Sequence, residues 1–164
     1  PVQFSMPSLL EDLRRVLDLH QLAPAQLALE VTESALMHNL ENTREQLQQL
    51  RRLGVRVAID YFGTGYSSLA YRRHFELDTM KIDRLFIANM LESERDAAIV
   101  SSIIELGRNL GLEVIAEGVE TEAQKEFLAR HGCVYFQGYL LGRPTPVADL
   151  EALIESAATG TAPR

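Results

Sequence analysis

Five short apolar runs each carry, at or near their C-terminal end, a polar side chain able to hold a metal ion, a water or a phosphate. Glu30 and Glu33 flank the end of run 27–32, and Asp60 closes run 55–61. Lys81 and Asp83 close run 79–83, Glu117 and Glu120 close run 113–119, and Gln137 lies within run 134–140. Glu33 and Glu120 also suit helix caps or solvated turns. Glu30 and Asp60 are harder to explain that way, because each sits in or directly after apolar strand residues, where an unpaired carboxylate is costly. Lys81 lies between Met80 and Ile82 and calls for a carboxylate partner. A structural ring of ion pairs is the alternative to a functional site.

After Asp60 comes a Gly-rich loop containing Gly63, Thr64 and Gly65. Two glycines two apart fit a tight turn or a close approach to a ligand. The spacing is neither a dinucleotide fingerprint nor a P-loop. Ser67, Ser68, Ser101 and Ser102 lack a nucleophile-elbow context. His20, His38, His74 and His131 fall on expected helices or helix ends with no ligand spacing, so surface roles are expected.

The elements that must position these groups follow from periodicity. Leu9, Leu10, Leu13, Val16 and Leu17 form one helical stripe, with Ser8 and Glu11 as an expected capping box. Leu40, Leu47, Leu50 and Leu53 form a second, ending at Gly54. Ala97, Val100, Ile103, Ile104, Gly107 and Leu110 form a third, followed by Gly111. Thr121 and Gln124 cap a fourth carrying Phe127 and Leu128, and Pro146 opens a last one carrying Leu150, Leu153 and Ile154. The apolar runs between them read as strands, several covered on both faces. Alternating strands and helices imply an α/β fold of parallel βαβ units. A doubly wound sheet and part of a (β/α)8 barrel both satisfy that pattern.

The 164 residues suffice for one domain, 46% hydrophobic and 24% charged, as in ordinary globular proteins. No apolar run approaches the roughly 18 residues of a membrane span, and no signal peptide is seen. The single cysteine, Cys133, excludes a disulfide framework and fits a reducing cytoplasm; it reads as a buried structural thiol. A net charge of -7 argues against binding DNA or an anionic membrane through a basic face. It leaves a small phosphate substrate open, since a carboxylate-held metal reverses the local field.

Five stretches in order carry a family resemblance. They are Leu29-Glu30-Val31-Thr32-Glu33-Ser34; Ala58-Ile59-Asp60-Tyr61-Phe62-Gly63-Thr64-Gly65-Tyr66-Ser67-Ser68-Leu69; Lys81-Ile82-Asp83-Arg84; Ala116-Glu117-Gly118-Val119-Glu120-Thr121; and Gln137-Gly138-Tyr139-Leu140 followed by Gly142-Arg143-Pro144. The chain resembles the EAL phosphodiesterase domain, which hydrolyses one phosphodiester bond of cyclic di-GMP. The resemblance implies a partial TIM-like barrel of about five parallel strands over residues 1–156, with the family's first three strands missing and a disordered tail at 157–164. It implies that the family's Glu-Ala-Leu glutamate and a ligand asparagine lie outside this stretch.

By position, Glu30 and Asp60 resemble ligands of a first Mg²⁺ or Mn²⁺, and Asp60 a bridge to a second. Glu117 resembles a second-metal ligand sometimes assigned as general base, and Lys81 the lysine that holds the attacking water. Glu33 resembles the residue fixing the Gly-rich loop; Asp83, Glu120, Gln137 and Tyr139 resemble supporting or substrate-side residues. One departure stands out. The family's loop begins with two aspartates, and here the second is Tyr61. A phenol with an ordinary pKa of about 10 replaces a carboxylate poorly, so weakened second-metal binding is expected. Three functions follow for testing: a cyclic di-GMP phosphodiesterase, a degenerate cyclic di-GMP sensor or regulatory module, and a fragment without independent activity. Expected partners are cyclic di-GMP, a homodimer mate and neighbouring signalling domains.

Overall fold

The computed structural model describes residues 8–32, 35, 40–62, 77–147, 149–151 and 154. Among these residues five strands form one parallel sheet in the order β1-β2-β3-β4-β5. They are β1 (Ala28–Thr32), β2 (Arg56–Phe62), β3 (Thr79–Ile82), β4 (Glu113–Glu117) and β5 (Tyr135–Gln137). A doubly wound sheet reverses its strand order at a switch point. Here spatial order equals chain order throughout, as in an arc of a (β/α)8 barrel. That resolves the choice periodicity left open.

The helices are α1 (Leu9–Leu19), α2 (Leu40–Leu53), α3 (Arg84–Asn89), α4 (Glu94–Asn109) and α5 (Glu122–Arg130). A further turn of helix starts at Pro146, whose carbonyl accepts from Asp149 and Leu150; Leu153 and the 157–164 tail lie outside the described residues. Strand pairing places Val31, Val57, Ile59, Met80, Ile82, Val114 and Ala116 on one face of the sheet. All are in the buried core with Leu47 and Leu50 of α2 and Val100, Ile103 and Ile104 of α4. Each large side chain so buried contributes about 1.5–3 kcal/mol. Helix α4 comes close because Gly107 has no side chain: a Cβ there would lie 2.2 Å from Val114 Cγ2.

The Thr121–Gln124 capping box forms as expected. The one at Ser8 does not. Ser8 is itself helical (φ -78°, ψ -11°), so its hydroxyl is not turned onto the first amides. Leu110 is exposed, because it caps α4 beyond its last packed turn and Gly111 (φ +70°) then redirects the chain. Val16 is likewise exposed on α1. Run 134–140 is a strand only over Tyr135–Gln137, and both Val134 and Tyr135 are exposed, since β5 is the last strand of the sheet. Coverage on both faces holds for central β3, all four residues of which are buried.

Candidate active site

Side chains alternate across a strand. Because the core-facing set occupies one face, Glu30, Asp60, Lys81, Glu117 and Gln137 occupy the other. Lys81 is 4% exposed. Its Nζ lies 2.7 Å from Glu30 Oε1, two strands away, and 2.5 Å from Glu117 Oε1 on the adjacent strand. Burial alone would lower its pKa, but the hydrogen bonds and charges of Glu117 and Glu30 outweigh that and raise it above the ordinary lysine value. The ammonium is therefore a permanent charge in the physiological range.

Asp60 sits at an irregularity. Ile59 pairs with Met80 and Phe62 with Ile82, so Asp60 and Tyr61 together face Lys81. Such bulges re-aim side chains and recur beside active sites. The Tyr61 backbone belongs to β2, whereas its side chain, Glu33, Gly63, Thr64 and Gly65 lie outside the described residues. Among the described residues no three His, Cys, Asp or Glu side chains converge tightly enough to hold a metal by themselves. Glu30 and Glu117 meet at Lys81 instead.

Glu117 ends β4, and the chain turns away at Gly118 (φ +72°), where a Cβ would lie 2.5 Å from Arg84 Cβ. The next residue is laced to the loop after β5: Val119 N donates to the Gln137 carbonyl and Leu140 N to the Val119 carbonyl. Gly138 permits this approach, since a Cβ there would fall 2.1 Å from the Val119 oxygen. Gln137 is exposed beside Glu117, its strand partner. Tyr139 is also exposed, with the Arg143 guanidinium 4.4 Å above its ring. Asp83 is buried and accepts from Leu85 N at 2.7 Å, capping α3. Glu120 is exposed, and its backbone N–H donates to Gln124 Oε1.

A profile of the EAL domain family matches residues 1–144. The chain belongs to the EAL domain family. It is 49% identical over 153 residues to the bifunctional diguanylate cyclase/cyclic di-GMP phosphodiesterase MucR of Pseudomonas aeruginosa, a match covering 93% of this chain and 22% of MucR. The chain thus spans under a quarter of that relative's length. The MucR phosphodiesterase in complex with c-di-GMP superposes with a TM-score of 0.87 at 50% identity, covering 91% of this chain and 60% of that one. A manganese and cyclic di-GMP complex of Klebsiella pneumoniae BlrP1 gives 0.80 at 35% identity, over 87% and 36%.

Several residues of this EAL domain were not singled out from sequence. Asp78 orders the opposite strand edge: its carboxylate accepts from Val57 N at 2.8 Å and its carbonyl from Glu113 N at 3.0 Å. Arg56 and Glu113 pair across β3, a half-exposed tie two residues below the Lys81 cluster on the same face. Alternation along β2 and β4 was the available signal for that pair. Helix α3, six residues long, carries no full period of its own; the N-cap type of Asp83 was its only sequence mark. The thiol of Cys133 is buried as expected, donating to the Val114 and Tyr135 carbonyls, and burial pushes its pKa up. His20 and His131 are exposed; His38 and His74 lie outside the described residues. No helix among the described residues is long and apolar enough to cross a membrane.

Proposed function

We propose that this EAL domain binds cyclic di-GMP and, with Mg²⁺ or Mn²⁺, hydrolyses it to linear pGpG, at a rate held down by Tyr61. The observation that carries the reading is the Lys81 ammonium gathered between Glu30 and Glu117 on the sheet face that also holds Asp60. That face is built to hold positive charge, and its donors are all carboxylate oxygens, the chemistry that suits Mg²⁺ or Mn²⁺. Glu30, Asp60 and Glu117 are the residues of this chain that would help hold the metal, with the further ligands that the EAL resemblance places outside this stretch completing the set. A bound divalent ion would acidify its water and neutralise charge on the phosphodiester. Lys81 offers a fixed N–H donor to a water or a phosphate oxygen, and Glu117, less exposed than Glu30, is placed to accept a proton. By their positions in the EAL motifs we assign Glu33, Asp83, Glu120 and Gln137 supporting roles, and Gly63, Thr64, Gly65 and Tyr139 a role toward the substrate. The names of the relatives support the substrate.

Tyr61 favours a second reading, a domain that binds cyclic di-GMP without cleaving it. Losing a second metal's charge stabilisation costs several kcal/mol of barrier, about a thousandfold in rate. We place the domain in the cytoplasm, joined to other signalling domains as the share of MucR that it spans suggests, with a homodimer as its assembly. Chromatography of cyclic di-GMP incubated with the protein and Mg²⁺ tests this. Slow pGpG formation that Tyr61→Asp accelerates at least tenfold supports the first reading. Binding without turnover in both proteins supports the second. Neither binding nor turnover removes both.

A further inference from the structure

We infer that Gln124 is a positioning residue for the Lys81–Glu117 pair, acting through helix α3 as well as through the cap of its own helix. This rests on the functional reading above only for its kinetic consequence. Gln124 is 7% exposed and uses both ends of its amide. Its Oε1 accepts from Glu120 N at 2.8 Å and Thr121 N at 3.1 Å, while its backbone N–H donates to Thr121 Oγ1 at 3.2 Å. Its Nε2 donates to the Ile87 carbonyl at 3.2 Å, a buried bond across 37 residues of chain.

An ordinary capping box needs only the bond to the N-cap amide, which glutamate makes as well as glutamine. The other bonds have a different geometry. Glu120 and Thr121 follow Glu117 by three and four residues. Ile87 lies in α3, which starts at Arg84, directly after the strand bearing Lys81. Gln124 thus clasps the segment leaving the glutamate strand to the segment leaving the lysine strand. Gly118 closes the same joint from the other side, packed on Arg84 at φ +72°. A neutral amide accepts from two N–H groups and donates to a carbonyl at once, whereas a carboxylate of the same length can only accept.

Gln124→Glu keeps the cap but turns a carboxylate oxygen onto the Ile87 carbonyl. Gln124→Met removes both functions. With Gln124 as a clasp, both variants lower kcat for cyclic di-GMP at least tenfold with KM changed less than twofold. Both also shift or broaden the ¹⁵Nζ signal of Lys81 in metal-free protein, while only Met weakens the α5 cap. A Gln124→Glu protein with native kcat and a native Lys81 signal overturns the inference. If the native protein hydrolyses nothing, the functional reading fails and the Lys81 signal alone decides the clasp.

Discussion

Replacing Lys81 with methionine separates the two halves of its ion-pair cluster, and their energies are expected to differ. The Glu117 side chain is 19% exposed and the Glu30 side chain 54%. A charge-assisted hydrogen bond in a mostly buried setting contributes about 1.5–3 kcal/mol. A half-exposed pair contributes about 0.2–1 kcal/mol after solvent screening. Double-mutant cycles in urea, with chelator present, read each coupling directly. Lys81→Met with Glu117→Gln is expected to give about 2 kcal/mol, and Lys81→Met with Glu30→Gln under about 1 kcal/mol. The single Lys81→Met variant loses less stability than the sum of the couplings, because removing the ammonium also removes its desolvation cost. Couplings below about 0.5 kcal/mol for both pairs, or a larger value for Glu30, refute the reasoning.

Other outcomes follow from the same contacts. Gly118→Ala meets both a positive φ and Arg84, so a loss of about 2 kcal/mol or more is expected by denaturant titration. Asp83→Ala removes the α3 cap and is expected to cost about 1–2 kcal/mol, read in the same way. The Lys81 pKa is raised, so its stabilisation is complete below the ordinary lysine value of about 10.4 and is lost as pH climbs past the raised one; urea midpoints from pH 7 to 11 should differ between native and Lys81→Met mainly below that rise. Cys133, buried and with its pKa pushed up, should resist iodoacetamide at pH 8 until urea unfolds the chain, and rapid native alkylation contradicts its placement.

Much of this arrangement was legible in the sequence because apolar periodicity and strand-end polarity are local signals. Glu30, Asp60, Lys81 and Glu117 were marked by carrying charge inside apolar runs, and the sheet brings them to one face. Strand order was not legible from periodicity, since both candidate architectures use the same βαβ unit; the EAL resemblance implied the barrel order that the sheet shows. The bulge at Asp60 and Tyr61 depends on how β2 meets β3 and leaves no mark in either segment alone. Gln124 shows the limit best. Its capping role was readable from its three-residue spacing from Thr121, but its bond to Ile87 depends on where α3 packs. Ser8 shows the reverse case, a capping pattern whose backbone does not adopt the required geometry.

If the polar sheet face is a cation-dependent site, Mn²⁺ titration followed by electron paramagnetic resonance tests it most directly. Saturable Mn²⁺ binding that weakens at least tenfold in each of Glu30→Gln, Asp60→Asn and Glu117→Gln is the predicted result. Binding that is absent, or unchanged in all three variants, contradicts it.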